Sequence, residues 1–407
     1  MNATPSLTLS AVAAALTMLA ATAHADAVTD WNVKANEFLV AGRVGPPPAN
    51  RALAMAHVAV FEAVNAITGR YAASGRVTLE PAPGASVDAA VAAAMRGTLG
   101  KLMPPQQAEI DTAYGLALAQ LPEDAARSAG IAVGEKAAAA VLALRGGDGA
   151  AAPDDYRPFT LPGVYVPTTS AAVPHWGRRR PWVLASGDQL RPAAPPALSS
   201  AIWARDYNEI KALGGKNSTQ RSAAQTEIAR FWEATQPTIY YPLARAVALQ
   251  PGREVTQNAR LLAAVGMAMD DALIVIFDAK YAYNFWRPVT AIRNGDKDGN
   301  DATERDPLWA PFIDTPLHPE YPCAHCVVSA SLGAVLQAEI GSGPVPRLAT
   351  TSPTAPGVTR SWASIAEFTQ EVANARIYDG VHFRNSTEVG SALGRQVGEM
   401  VAAKALR

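Results

Sequence analysis

The sequence predicts an all-α protein in which a single large helical bundle carries long proline-rich loops. Apolar residues recur at helical spacing through most of the chain. No segment shows the strict alternation of apolar and polar residues that is typical of half-buried strands. The 31 prolines among 407 residues exceed the usual share of about 5%. They predict long ordered connections between the helices.

Charge and composition exclude several classes of protein. The 35 basic and 36 acidic residues give a formal net charge of −1, whereas a nucleic-acid-binding domain needs a strongly basic face. Hydrophobic residues make up 49% of the chain, which is enough to form a core and excludes global disorder. We therefore expect a folded protein that does not bind nucleic acid.

The first 25 residues have the pattern of a secretory signal peptide. Residues 7–19 form an apolar run without a charge, and Ala23-His24-Ala25 is a typical processing site. We expect cleavage after Ala25, a secreted or periplasmic protein, and one catalytic domain over residues 26–407. No other window approaches about 18 apolar residues without charges, so no transmembrane segment is expected in the mature chain.

The spacing of apolar residues predicts the position of each helix, and Gly and Pro residues mark the helix ends. Between residues 146 and 196 we expect a long excursion whose aromatic side chains pack against the body. Within it, residues 163–166 and 182–184 are expected to be extended. Residues 293–321 are expected to form a second loop. The predicted helices are 51–67, 86–102, 105–121, 126–145, 199–213, 222–234, 258–286, 322–340, 362–378 and 386–406.

Lys280 and Arg287 end the longest predicted helix and are seven residues apart. On one helix they would share a face, about 10 Å apart along the axis. Two cations among four aromatic residues repel each other unless an anion lies between them. The alternative is two basic side chains that extend from an amphipathic helix into water.

A second motif, His318-Pro-Glu-Tyr-Pro322-Cys323-Ala324-His325-Cys326, precedes an apolar helix. If the helix begins here, the backbone N–H groups of Ala324 and His325 lie in its first turn, where an anion is favoured. The alternatives are a capping loop with an incidental histidine, a redox pair of cysteines, and a zinc site that lacks a convincing fourth ligand. The two cysteines are also close enough in sequence to pair with each other.

A third motif contains Arg376 and His382 at a predicted helix break over Asp379-Gly380. A cation and an imidazole at such a junction can meet an anion. The alternative is an arginine that binds the last carbonyls of its helix, beside a core histidine. Taken together, the three motifs supply three cations and two histidines, a set suited to a tetrahedral oxyanion.

These motifs resemble the three-part signature of the vanadium-dependent haloperoxidase and type 2 phosphatidic acid phosphatase superfamily. The order and spacing of Lys280-x6-Arg287-Pro288, Pro322-Cys-Ala-His325 and Ala375-Arg376-x5-His382-x3-Ser386 match. The Tyr-Asn-Phe-Trp-Arg-Pro segment at 283–288 is closer to the soluble bacterial haloperoxidase branch. The resemblance covers most of the mature chain and is sharpest over 278–390.

The resemblance implies a role for each residue. His382 would bind vanadium or act as the nucleophile on phosphorus, and His325 would be the apical acid–base. Backbone and side-chain groups would hold the equatorial oxygens of vanadate; these are Lys280, Arg287, Cys323, Ala324 and Arg376. Lys280 would also polarise bound peroxide.

Three positions depart from the family pattern. Cys323 replaces a serine and is a weaker hydrogen-bond donor, Ala324 replaces a glycine, and Ser386 replaces an aspartate. In the phosphatases that aspartate orients the nucleophilic histidine, so its loss should hurt phosphoryl transfer. Ser386 would instead be a good N-cap for the last helix.

Four functions are therefore considered. The first is a vanadate-dependent haloperoxidase that oxidises halide with hydrogen peroxide. The second is a periplasmic acid phosphatase that uses His382 as nucleophile and His325 as general acid on a phosphate ester. The others are an oxyanion-binding protein without catalysis and a redox protein based on Cys323 and Cys326.

Overall fold

The computed structural model describes residues 26–406, and these are mostly helical, as predicted. The expected signal peptide over 1–25 lies outside the described residues. Within 26–406, no helix is both long enough and apolar enough to cross a membrane. The α-helices are α1 (Ala27–Ala41), α2 (Pro46–Thr68), α3 (Val87–Leu102), α4 (Gln107–Leu118), α5 (Ala125–Arg145), α6 (Ala201–Leu213), α7 (Ala223–Trp232), α8 (Tyr241–Ala248), α9 (Val255–Tyr283), α10 (Pro288–Arg293), α11 (Ala324–Ile340), α12 (Ile365–Tyr378) and α13 (Arg384–Ala405).

The long helix α9 forms the centre of the bundle and is buried over nearly its whole length. Helices α2, α11 and α13 pack around it. Small residues permit the close approach of neighbouring helices that the alanine-rich sequence predicts. A methyl group added at Gly394 of α13 would lie 2.3 Å from the carbonyl oxygen of Val327 in α11. Glycine at this position therefore sets how closely α13 approaches the start of α11.

The end of α9 differs from the prediction of one or two helices up to Trp286. The helix ends at Tyr283, because Asn284 adopts the left-handed conformation with φ of 47°. Asparagine tolerates that conformation better than most residues. Arg287 therefore lies beyond the helix, in extended geometry before Pro288, where pre-proline sterics place it. The expectation that Lys280 and Arg287 share one helix face is wrong.

The proline-rich excursion packs against the bundle as predicted. The side chains of Tyr165 and Trp176 are buried. The extended segment around Val164 pairs with residue 285 through an antiparallel bridge, and the amide of Tyr165 donates to the carbonyl of Asn284. The excursion thus holds the chain between α9 and Arg287 in place.

The structure contains a β-hairpin that the sequence analysis did not predict. This finding corrects the expectation that all regular elements are helices. Strands β1 (Leu348–Ser352) and β2 (Ala355–Trp362) pair in antiparallel register. Their apolar ends, Leu348 and Trp362, are buried, but Thr and Ser between them hide the alternation. Helix α12 consequently begins at Ile365, capped by Ser364, rather than at Trp362. Helices α1, α8 and α10 were also not predicted.

Candidate active site

A cavity of about 400 Å³ opens between the start of α2, the C-terminal half of α9 and the start of α11. Three imidazoles line it, those of His318, His325 and His382, together with Ala324. The other walls are mainly apolar and include Leu273, Phe277, Val328, Leu317 and the prolines at 46–48. Two of the three predicted motifs therefore reach one cavity directly.

His325 lies in the first turn of α11, which begins at Ala324 as the sequence predicts. Its Nε2 lies 3.2 Å from the carbonyl oxygen of Ala234. Because a carbonyl only accepts, this contact places the hydrogen on Nε2 and the lone pair on Nδ1. Burial, reinforced by the Arg376 cation, lowers the pKa of His325 well below its ordinary value. The imidazole is therefore neutral, with the lone pair of Nδ1 free of a proton.

His382 lies in the turn between α12 and α13, after the predicted break at Gly380, where φ is +79°. Its Nδ1 lies 2.8 Å from Oε1 of Glu320, and its Nε2 lies 3.4 Å from Nη1 of Arg287. Burial and the nearby Arg287 and Lys280 cations lower the pKa of His382 well below its ordinary value. A neutral imidazole is the form that binds a metal centre.

Glu320 is a residue of the site that sequence reasoning missed. Its side chain is fully buried, and Oε1 accepts hydrogen bonds from His382 and from the backbone N–H of Phe383. Burial raises the pKa of Glu320 to about 7, although the Lys280 and Arg287 cations oppose that rise. Its position within the second motif, in a chain that lacks the motif aspartate, was the available signal.

Lys280 is buried behind the loop that leads into α11. Its Nζ donates to three backbone carbonyl oxygens, those of Pro319, Glu320 and Pro322, at 2.9, 2.8 and 2.6 Å. Burial, together with the Arg287 cation, lowers the pKa of Lys280 well below its ordinary value. In this structure the ammonium group fixes the loop carrying the second motif.

Arg287, of the first motif, contacts both the loop that leads into α11 and the turn that carries His382. Its Nε donates to the carbonyl of His318, Nη1 to the carbonyl of Val381, and Nη2 lies 3.0 Å from Nδ1 of His318. Burial lowers the pKa of Arg287 to about 10. His318 is a second residue that the sequence did not single out. Its ring lies in the cavity between Arg287 and the edge of Phe277.

Arg376 ends α12, as predicted, and is also buried. Its Nη1 donates to the carbonyl of Trp232 and to the carboxylate of Asp379. Its Nε is buried and has no hydrogen-bond partner among the described residues. A buried donor without a partner is costly, and an anion would satisfy it.

Cys323 and Cys326 form a disulfide, so Cys323 has no S–H group to donate. Its Sγ instead accepts the backbone N–H of Cys326 and caps α11. Ser386 is not the N-cap of the last helix, because α13 already begins at Arg384. Ser386 lies in the first turn and is buried, and its Oγ has no hydrogen bond of good geometry within residues 26–406. Its hydroxyl is near Glu320 and lowers the pKa of that carboxyl. These findings correct the expectations of a donating thiol and a capping serine.

The fold and the site have counterparts among solved structures. A structure described as the first bacterial vanadium-dependent iodoperoxidase superposes with a TM-score of 0.79 at 26% identity, covering 93% of this chain and 96% of that one. Residues 260–407 match the family described as the VCPO second helical-bundle domain. The chain therefore resembles the bacterial vanadium-dependent iodoperoxidase in its fold, and its residues 260–407 resemble the VCPO second helical-bundle domain in sequence. The matched residues include every side chain of the three motifs.

Two further comparisons extend this result. Vanadium chloroperoxidase from Curvularia inaequalis is 31% identical over 179 residues, covering 36% of this chain. The match spans only 28% of the length of that relative. An apo-type bacterial vanadium-dependent chloroperoxidase has the same fold, with a TM-score of 0.74 at 16% identity over 89% of this chain and 95% of that one.

Proposed function

We propose that this haloperoxidase-like protein binds orthovanadate and oxidises a halide with hydrogen peroxide. The observation that supports the proposal most is the shared cavity of His325 and His382, backed by three buried cations. We also propose, from the first 25 residues alone, that the protein is secreted or periplasmic.

The donor groups fit a tetrahedral oxyanion. Lys280 and Arg287 donate to carbonyls rather than to carboxylates, whereas Arg376 pairs with Asp379 through Nη1. Among residues 26–406 the buried Nε of Arg376 has no hydrogen-bond partner. An anion would therefore meet two cations that no carboxylate pairs with, and one free donor of a third. The N–H of Ala324 at the start of α11 adds a backbone donor and the positive end of a helix dipole.

Each residue then has a distinct task. His382 would hold the metal through Nε2, because Nδ1 is engaged by Glu320. Arg287 and Arg376 would bind the equatorial oxygens, with the Ala324 amide, while Lys280 would hold the loop and add positive charge. Bound vanadate supplies a Lewis-acidic centre that activates peroxide toward a halide. His325 would exchange a proton at Nδ1, since Nε2 donates to Ala234.

The cavity also suits this chemistry. Apart from the three imidazoles, its walls are mainly apolar, so they would offer few hydrogen bonds to water beside a bound anion. Charge interactions strengthen when water is excluded, which favours binding of a small anion beside buried cations.

Reconstitution tests the proposal directly. The purified protein is incubated with orthovanadate, and bromination of a reporter substrate is followed after peroxide and bromide are added. Turnover is measured across about pH 5 to 8. His382→Ala should bind less vanadate and show no turnover. Bound vanadate without turnover for any halide would refute the proposal.

A phosphomonoesterase remains a second candidate because of one specific contact. The Glu320 carboxylate on Nδ1 of His382 would stabilise the charge that this imidazole gains as a nucleophile on phosphorus. His325 would then be the general acid. An aryl phosphate assay with vanadate as inhibitor separates the two functions, since one pocket can bind both oxyanions.

A further inference from the structure

The third motif lacks the carboxylate that the resemblance leads one to expect at position 386. The serine there is buried in the first turn of α13, and among residues 26–406 its Oγ has no hydrogen bond of good geometry. It therefore neither orients His382 nor balances its charge. Ser386 lies close enough to Glu320 for its hydroxyl to lower the pKa of that carboxyl. Position 386 by itself leaves Nδ1 of His382 without a partner.

Glu320 occupies the place of that missing partner from another part of the chain. Its Oε1 lies 2.8 Å from Nδ1 of His382 and 3.0 Å from the backbone nitrogen of Phe383. The two residues are separated by 62 positions in sequence. The same Oε1 already accepts the N–H of Phe383, so it carries no hydrogen of its own, and the hydrogen of this contact lies on Nδ1.

The backbone of Glu320 is fixed on both sides. Its N–H donates to the carbonyl of Phe285, and its own carbonyl accepts from Nζ of Lys280 at 2.8 Å. The side chain is fully buried. The position of the carboxylate is thus set by the end of α9 and by the segment that follows it.

We infer that Glu320 is the positioning residue of His382 and replaces, from a different loop, the carboxylate absent at position 386. It fixes the tautomer with hydrogen on Nδ1 and leaves the Nε2 lone pair toward Arg287 and the cavity. The identity of the group that Nε2 binds rests on the proposed function. The tautomer of His382 is independent of that function.

Removing a residue that orients a metal-binding histidine lowers the affinity of the protein for the metal. A group that orients a metal-binding histidine typically contributes 10- to 100-fold, roughly, to metal affinity. A merely structural glutamate would hold the Phe383 turn but leave the tautomer of His382 and its affinity for vanadate unchanged. The two possibilities therefore predict different spectra.

The experiment compares the vanadate-free wild type with variants carrying ¹⁵N-labelled histidine, with His382→Ala to assign the signals. Long-range ¹H–¹⁵N correlation distinguishes a protonated from an unprotonated ring nitrogen. We expect wild-type His382 to show hydrogen on Nδ1. Glu320→Leu should give a mixed tautomer, whereas Glu320→Gln should keep the wild-type pattern, because its amide oxygen still accepts.

Vanadate affinity, measured by calorimetry, is the second readout. Glu320→Leu should weaken binding by roughly 10- to 100-fold. Glu320→Gln, which removes only the charge, should weaken it less, and adding Ser386→Asp to Glu320→Gln should restore part of the loss. Glu62→Leu is the matched control, because Glu62 is also buried but bonds to Ser74 of another segment. It should change neither readout.

Two results would overturn the inference. One is hydrogen on Nε2 of His382 in the wild type, a measurement that needs no variant to fold. The other is an unchanged tautomer in Glu320→Leu. If the wild type binds no vanadate, the proposed function fails, while the spectra alone still decide the role of Glu320.

Discussion

Two buried groups of charged residues lie along α9, and they are built in opposite ways. The first, here called the closed cluster, surrounds the middle of the helix. Arg179 lies between Asp270 and Asp148 at 2.7 and 2.8 Å, and the same Asp148 accepts from Arg51. Asp271 accepts from three successive backbone N–H groups. The closed cluster consists of Arg51, Arg145, Arg179, Asp148, Asp270 and Asp271.

The second group, here called the site cluster, surrounds the C-terminal end of the same helix. Among residues 26–406, no carboxylate lies within ion-pair distance of Lys280 or Arg287, whose hydrogen bonds go mostly to carbonyls. The carboxylate of Glu320 faces His382 instead. The site cluster consists of Lys280, Arg287, Arg376, Glu320 and Asp379.

The difference shows why burial of charge alone does not indicate function. In the closed cluster each arginine meets a carboxylate, so the group needs no ligand and serves the fold. In the site cluster only Arg376 pairs with a carboxylate, that of Asp379. Lys280 and Arg287 donate to carbonyl oxygens, which satisfy their N–H groups without neutralising their charge, and the cluster borders a cavity. A buried cation without a carboxylate keeps its attraction for an incoming anion.

The largest expected effect is on the closed cluster. Arg179→Met leaves Asp270 and Asp148 without their shared partner in a dry environment. We expect the free energy of unfolding to fall by about 3 to 5 kcal/mol in urea titrations. Arg178→Met, which removes an exposed ion pair next to it in sequence, is the control and should have little effect. Equal stability of the two variants would show that the closed cluster is not structural.

The second largest effect is the stabilisation of the protein by vanadate bound at the site cluster. At a vanadate concentration of 100 times Kd, the free energy of unfolding of the wild type should rise by about 2.7 kcal/mol. Arg287→Met should lose most of this rise, because it removes a cation that no carboxylate balances. Arg191→Met, which breaks the partly exposed ion pair of Arg191 with Asp278 of α9, should show the same rise on vanadate binding as the wild type. An equal rise in both variants would contradict the assignment of Arg287.

A smaller effect is the pH dependence of the closed cluster. Burial raises the pKa of Asp271 from 3.8 to about 7, so between these values the folded state holds a proton that the unfolded chain has released. The contribution of Asp271 to stability is therefore present in acid and is lost as pH rises through 7. The slope reaches at most about 1.4 kcal/mol per pH unit. Asp271→Asn should reduce the slope of the free energy of unfolding against pH between about pH 4 and 7. If the variant and the wild type show the same slope in urea titrations, Asp271 is not its cause.

The smallest effect is expected at Cys323. Cys323→Ser restores a hydroxyl donor at the start of α11 and should tighten vanadate binding by about 1 kcal/mol, roughly fivefold. It also breaks the disulfide, which should lower the free energy of unfolding by roughly 2 kcal/mol. Cys326→Ala breaks the same disulfide without adding the hydroxyl. If it tightens binding equally, the hydroxyl is not the cause.

The helices that bear the motifs were predictable from the sequence because their signals are local. Apolar periodicity placed α9, α11 and α12, and Gly380 marked the break before His382. The end of α9 was placed three residues too late, since the left-handed Asn284 leaves little trace in periodicity. The hairpin over 348–362 escaped because Thr and Ser obscure its alternation.

The sequence by itself determined the helical class, the order of the three motifs and the residue types that they bring. Only the tertiary structure decided which groups meet. It gave Glu320 to His382, bound Lys280 to three carbonyls, paired Cys323 with Cys326 and left Nε of Arg376 without a partner. The physical reason is that helical periodicity depends on neighbours within a few residues. A hydrogen-bond partner 62 positions away depends instead on how the whole bundle packs.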